Sequence, residues 1–457
     1  MPAWKETQSS LKAHSPRQSM HNKMKGRVRK SLRASLMDGV FASGMIGMVE
    51  NYIIPYALAF RAQAPQIGLL ASLPNLVAAL AQSRAEHAER LAGGRKTMLR
   101  AAVFIQAAAV LGMPALAFLP SDMRVTGLMF LAILYTTFGG LSAPPWGSLM
   151  CEYLPLSRRS GYFGWRNRIT GLVIIACGLA AGGVLQIYGT SAIGGFLLIF
   201  SLAAVCRLIS WHFLGKMHEP PLVHGPPRGD APSPAPQRPN RNLRSFLAYS
   251  AAMSCAVNVA GPFFPVYMLQ ELRLGYMTFT VLTVATTFTT FTMMDAWGRH
   301  ADHAGNLRVI RVSSFFLPAI PLLWLLSSDP AYLFCIQLAS GVVWAGYNLC
   351  TSNFIYDSAP PAQRVGATGD FNMVNGFSIF IGAFLGSHLL ILLPPLYGSR
   401  FFSLLVLSAA LRLLALWAFL PRIREVREVA GVKSLDLFYS VIGIKPMPGI
   451  SRGALRL

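Results

Sequence analysis

Charge is scarce in this chain. Only 13% of its 457 residues are charged and 53% are hydrophobic, with a mean hydropathy of +0.46. Length alone would suggest about three soluble domains. Apolar runs of the roughly 20 residues needed to cross a bilayer recur along the sequence, however, and override that prior. Acids are the scarcer sign, 18 against 40 lysines and arginines, for a net charge of +22. In a soluble protein this excess would suggest nucleic acid. Here the basic residues fall in alternate loops, as orientation in a membrane requires, so no nucleic-acid partner is expected.

Other absences narrow the function. The six cysteines, Cys151, Cys177, Cys206, Cys255, Cys335 and Cys350, stand singly, with no Cys-x-x-Cys and no cysteine–histidine cluster. Neither a metal nor a redox site is expected from them. His300, His303 and His388 lack partners at metal-ligand spacing. No phosphate-binding glycine loop precedes a Lys-Ser/Thr pair, so ATP-driven transport gains no support. No nucleophile or acid–base constellation converges, so neither an enzyme nor a cofactor is expected. A cleaved signal peptide is not expected either, because no short apolar core with a cleavage site precedes the first span.

What is present reads as an all-α membrane protein of twelve transmembrane helices in two six-helix halves. The expected spans are 34–60, 65–84, 98–119, 125–150, 166–188, 192–214, 244–270, 275–296, 308–328, 331–356, 367–394 and 400–420. A basic arm (1–33) precedes the first half (34–214). A proline-rich segment (215–243) joins it to the second half (244–420), and such a composition cannot bury a core. A basic tail (421–457) follows, in which 435–444 could lie on the membrane as a short helix. One set of loops holds the arm, Arg84/Arg90/Arg95/Lys96/Arg100, Arg158/Arg159, the linker, Arg299/Arg308, Arg364 and the tail. The opposite set holds only Arg61, Arg124, Arg273 and Arg400. Both termini are therefore expected in the cytoplasm, with the chain in a bacterial inner membrane.

The halves are repeats. Glu152, Pro155, Arg159, Gly161, Gly164, Asn167 and Gly171 recur as Asp357, Pro360, Arg364, Gly366, Gly369, Asn372 and Gly376, each pair separated by 205 (357 − 152 = 376 − 171 = 205). Arg207 and Arg412 keep the same interval, each about two turns from its helix end. Both are expected to be structural, snorkelling to the interface or pairing with a carboxyl.

Six plus six spans, a central linker and a parallel repeat resemble the major facilitator superfamily. Its turn motif, roughly Gly-x-x-x-Asp-x-x-Gly before basic residues, is matched by Gly298-Arg-His-Ala-Asp302-His-Ala-Gly305. The first copy is degraded: Glu89-Arg90-Leu-Ala-Gly93-Gly94-Arg95 keeps the acid and the basic turn, without the leading glycine. The resemblance implies that Glu89 and Asp302 pair with a neighbouring helix end and gate the cytoplasmic side, with Arg159 and Arg364 as possible partners. Gly178-Leu-Ala-Ala-Gly182-Gly183-Val-Leu185 partly resembles the antiporter motif of exporters, with Leu179 in place of its proline; close helix packing is the competing reading.

Acids inside a bilayer are costly and mark ion or substrate paths. Glu50 lies near the middle of the first span with no basic residue in that span. It borders a stripe of Gly44, Gly47, Asn51 and Pro55, which turns it and Asn51 inward. It is the candidate for proton coupling or for neutralising a substrate cation, the alternative being a structural carboxyl. Asp38, nearer the cytoplasmic end, is the second candidate. Asp295 fits the turn, and Asp370 a helix start. The eleventh span shows a pore-like face of Asn372, Asn375, Gly376, Ile379, Gly382, Ala383 and Gly386. The tenth adds Trp344, Asn348, Thr351 and Ser352, the seventh Asn258 and Tyr267, and the second Asn75. Such groups need partners within a membrane, from another helix, water or a ligand.

The reading is a secondary active transporter of a small solute, working by alternating access as a monomer, with proton-coupled export preferred to uptake. The alternative is a membrane sensor of the same fold that binds a ligand or partner without transporting.

Overall fold

The structure is a computed structural model and describes residues 16–154, 156–189, 192–219, 241–359 and 364–427. The linker interior and the tail beyond 427, including the surface helix expected at 435–444, lie outside the described residues. Within them there is no β-strand, only an isolated bridge between Leu396 and Ser399. Twelve helical stretches are long and apolar enough to cross a membrane.

In the first half these are α1 (Pro16–Val49) with α2 (Ile53–Ala59), α3 (Ala64–Gln82), α5 (Arg95–Ala115), α6 (Ser121–Tyr153), α7 (Leu156–Tyr188) and α8 (Ala192–Gly215). The short α4 (Ala85–Leu91) lies in the turn between α3 and α5. In the second half they are α9 (Arg241–Ala260) with α10 (Phe264–Val266), α11 (Tyr276–Ala304), α12 (Asn306–Phe316) with α13 (Ala319–Leu323), α14 (Pro330–Ser358), α15 (Arg364–Leu392) and α16 (Arg400–Phe419). Several helices outrun the expected spans. α1 starts well before 34, because the apolar criterion that finds a span says nothing of a polar helix continuing into water.

The first helix of each half is broken at the same place. Glu50 separates α1 from α2, and Gly261 opens the irregular turn after α9, an interval of 211 (261 − 50) that also separates Gly94 from Gly305 (305 − 94). Proline explains both breaks. Its ring clashes with the carbonyl four residues back and offers no N–H, and Pro55 and Pro265 stand four residues after Asn51 and Gly261. The chain crosses the gap by a tighter bond, from the Tyr52 N–H to the Val49 carbonyl at 3.0 Å.

The halves meet along α3–α15 and α7–α11. Contact is closest through missing side chains. Across that seam a Cβ on Gly68 would lie 2.6 Å from Ser387 Cβ, and within the second half one on Gly386 would fall on the Val259 carbonyl and one on Gly382 on the Cys255 carbonyl of α9. On the side away from the termini, a single core draws on both halves, with Tyr52, Tyr56, Phe196 and Leu185 packed together with Phe263, Tyr267, Phe279 and Phe401. The Tyr52 hydroxyl donates to the Gly178 carbonyl at 2.7 Å and lies 2.7 Å from Thr280 Oγ1, tying α7 and α11 together. On the side of the termini the core divides. Leu99, Leu149, Met150 and Leu214 pack within the first half. Phe246, Trp297, Ile310 and Phe354 pack within the second. The protein is sealed on one side and parted on the other.

Candidate functional site

The parted halves enclose a cavity of about 920 Å³. Its wall carries Glu50 and Asp38 from α1 and its break, Asn75 from α3, Gln82, Gln106 and Tyr135 from the first half, and Asn372, Asn375, Gly376 and Ile379 from α15. A second cavity of about 420 Å³ lies toward the second half, lined by Glu50 and Asn51, Thr283, Thr286 and Thr287 of α11, Gln337, Ser340 and Trp344 of α14, and Arg412 of α16. Glu50 is common to both. Its side chain is exposed, but to the cavity, since it sits midway along the first span. Among the described residues its carboxylate makes no hydrogen bond or ion pair.

Asp38 differs. It is buried, accepts from Ser210 Oγ at 2.7 Å, and lies 3.9 Å from a guanidinium nitrogen of Arg166. Ser210 in turn accepts from Arg207 at 3.1 Å, so Arg207 reaches a carboxylate through one hydroxyl. Arg166 also stacks on Trp146, 4.4 Å from the ring centre. Asp38 is thus neutralised by two arginines, whereas Glu50 has none.

The pore-like face expected on α15 divides in two. Asn372, Asn375, Gly376 and Ile379 face the larger cavity, whereas Gly382 and Gly386 pack on the backbone of α9. Asn375 accepts from the Ser254 hydroxyl, joining α15 to α9. Asn75 and Asn258 each donate to the carbonyl four residues back, at 2.9 and 2.8 Å. Asn75 still lines the cavity; Asn258 lines neither. Trp344 lines the smaller cavity, while Asn348 is exposed and lines neither. Tyr267 is buried in an aromatic cluster, stacked 4.5 Å from Phe401 and edge-on to Trp324. The sequence reading passed over Gln106, Tyr135, Arg166 and the threonines of α11. The run Thr280, Thr283, Thr287 at helical spacing was the available signal.

The turns at the parted side are tied within each half. Arg95, 2% exposed, bonds Glu152 at 2.5 and 3.2 Å and lies 3.9 Å from Glu219. Glu219 accepts from the Lys96 N–H at 3.4 Å, while the Lys96 ammonium donates to the Met217 carbonyl at 2.6 Å. In the second half Asn306 donates to Asp357 at 2.7 Å and Glu425 accepts from the Leu307 N–H at 2.7 Å. Glu219 and Glu425, each just past the last helix of its half, thus cap the third helix, where a carboxylate is favoured by unpaired N–H groups and the dipole. Neither carries a local sequence signal for this role. Asp302 lies 3.6 Å from Arg427, which also lies 3.6 Å from Asp357. Glu89 makes no side-chain bond among the described residues; its backbone carbonyl accepts from Gly94 at 3.3 Å. The side chains of Arg159 and Arg364 lie outside the described residues, Arg90 sits at the end of α4, and Gly298 lies inside α11. Across the halves the exposed pair Arg168–Asp295 closes to 3.7 Å.

Gly94 and Gly305 hold φ of 146° and 88°, a region L-residues resist. A Cβ on Gly305 would also fall on the Glu425 carboxylate. Gly305→Ala is therefore expected to cost roughly 1–3 kcal/mol, read as a lower melting midpoint, whereas Gly366→Ala, in a helix with open space around its Cβ, should not lower it.

Two broken first helices facing each other across a cavity between pseudo-repeated halves is the architecture of alternating-access carriers. The family model of the Major Facilitator Superfamily matches residues 37–383 and, overlapping, 246–447. The chain belongs to the Major Facilitator Superfamily. Among solved structures, this facilitator is similar to the nucleoside transporter NupG, at 13% identity and a TM-score of 0.65, over 86% of this chain and 98% of that one. A bacterial homologue of the iron transporter ferroportin in an inward-facing state gives 14% identity and 0.68, over 86% and 98%. A D-xylose–proton symporter gives 13% and 0.64, over 88% and 99%. At such identities the likeness is one of fold. No curated protein sequence matches the chain. As a member of this superfamily the protein is an integral membrane transporter of a solute.

Proposed function

We propose that this facilitator exports a small solute against a proton gradient, as a monomer, with Glu50 as the coupling residue. The termini would lie in the cytoplasm of a bacterial inner membrane, so that the parted side is the inward-facing one. One observation carries the coupling assignment: Glu50 stands at the break of the first span, on the shared wall of both cavities, without a counter-charge. It also sits at the negative end of the α1 dipole, which draws positive charge to that point. A proton or a solute cation can therefore occupy the carboxylate alternately as the halves rock. Export is supported by the partial antiporter motif at Gly178–Leu185, whose glycines bring α7 against Tyr52 and Thr280.

The test is flux into liposomes holding the purified protein, driven by an imposed pH difference and screened over a solute panel. Wild type is expected to accumulate a solute only with the gradient. Glu50→Gln should abolish gradient-driven uptake while leaving solute exchange at equal pH. Undiminished gradient-driven flux in Glu50→Gln removes the coupling role, and ligand binding without any flux turns the reading to a sensor.

A further inference from the structure

Arg412 is the buried charge that the proposed cycle leaves unused. It is 2% exposed and its single hydrogen bond among the described residues runs from Nη1 to the Leu317 carbonyl at 2.9 Å. Its Nε is buried without a partner, and among the described residues no carboxylate touches it. Its repeat partner Arg207, 205 positions earlier, has the Ser210–Asp38 relay. The position matching Asp38 is Tyr249 (249 − 38 = 211), whose hydroxyl is engaged with Ser314. The second half has therefore kept the cation and lost its acid.

A guanidinium buried without a counter-charge carries a desolvation cost that the one hydrogen bond to the Leu317 carbonyl offsets only in part. Here it borders the smaller cavity, among whose lining residues only Arg412 and Glu50 ionise. The remaining polar groups include the Ser340 hydroxyl and Thr286 Oγ1, the latter buried without a partner, while Thr283 and Thr287 donate to the carbonyls four residues back. Trp324, Trp344 and Phe264 supply flat apolar walls. Hydroxyl donors beside a guanidinium suit an oxyanion.

We infer that Arg412 is the anion-binding residue of the smaller cavity, and that the transported solute carries an oxyanion, carboxylate or phosphate, beside an apolar or aromatic body. This rests on the transporter reading above and names the substrate class for it. Glu50, on the wall of the same cavity, is left for the proton or for a cationic group of the same solute.

The test is thermal unfolding of the full-length protein in neutral detergent at fixed ionic strength. The probes are benzoate, phenyl phosphate, acetate, inorganic phosphate and the neutral benzamide. At least one oxyanion is expected to raise the midpoint saturably at millimolar concentration, with benzamide inert. Benzoate against phenyl phosphate decides between carboxylate and phosphate. Arg412→Gln should lose that response, and Arg412→Lys, which keeps the charge, should retain part of it. Without ligand, Arg412→Gln should melt no lower than wild type, because it removes an unneutralised charge. The inference is overturned if no oxyanion stabilises wild type or if Arg412→Gln responds as wild type does. It is equally overturned if ligand-free Arg412→Gln is destabilised and Arg412→Lys, though folded, is inert to every oxyanion. A response lost in Arg412→Gln supports the assignment even where liposomes show no flux, a result that counts against transport alone.

Discussion

Asp38→Ala is expected to lower stability by roughly 3–5 kcal/mol, the scale for removing one partner from a buried charge cluster. The substitution strands Arg207, 6% exposed, and the half-buried Arg166 inside the first half, and takes the acceptor from the Ser210 hydroxyl. The measurement is the melting midpoint in detergent. Adding Arg207→Leu to Asp38→Ala removes one stranded charge and should recover part of the loss, a coupling that independent sites would not show. The contrast with Arg412 is the sharper check. Arg207→Gln leaves Asp38 with a weakened set of partners and should destabilise the chain, whereas Arg412→Gln strands no charge and gives up only the donor to the Leu317 carbonyl. An Asp38→Ala protein that melts like wild type but loses gradient-driven flux would instead put Asp38 in the transport cycle.

The second large effect is expected at the seam between α9 and α15. Gly386→Val places its branched side chain on the Val259 carbonyl and the carbons beside it. Overpacking a rigid contact costs about 1–3 kcal/mol and sometimes more. Here the obstacle is backbone, which cannot step aside as a side chain would, so the cost belongs at or above the top of that range. Loss of folded protein on size exclusion is the expected result. Gly183→Ala is the control, since nothing lies within 4 Å of the added carbon. Replacing a mid-helix glycine by alanine is worth up to about 1 kcal/mol in propensity, so Gly183→Ala should melt at or above wild type. Equal behaviour of the two variants would show that small residues here do not set helix spacing.

Much of the architecture is legible in the chain alone. Twelve apolar stretches, the alternation of basic loops and the 205-residue interval fix an all-helical, two-half membrane protein, because a continuous apolar run of about 20 residues satisfies its backbone in a bilayer as a helix, whereas a barrel strand needs only about ten alternating ones. The isolation of Glu50 is also visible in sequence, since no basic residue shares its span. The break beside it was within reach as well: Pro55 removes a donor and obstructs the Asn51 carbonyl.

What the chain alone could not decide is which polar groups find each other. Asp38 and Glu50 are both acids of the first helix, yet α7 and α8 bring Arg166 and Arg207 to one and nothing to the other. Arg207 and Arg412 look equivalent in the repeat, and only the packing of α9, with Tyr249 where an acid would be needed, leaves Arg412 unneutralised. Glu219 and Glu425 lie far in sequence from the helix starts they cap. Gly382 and Gly386 share a helical stripe with Asn375, and the packing of α15 on α9 sets the glycines against the α9 backbone while the asparagine reaches Ser254 and the cavity wall. Periodicity places a residue on a face, and sequence determines that much. Whether the face meets lipid, a neighbouring helix, a counter-charge or water is set by distances between helices that no single helix encodes, and tertiary structure alone decided it.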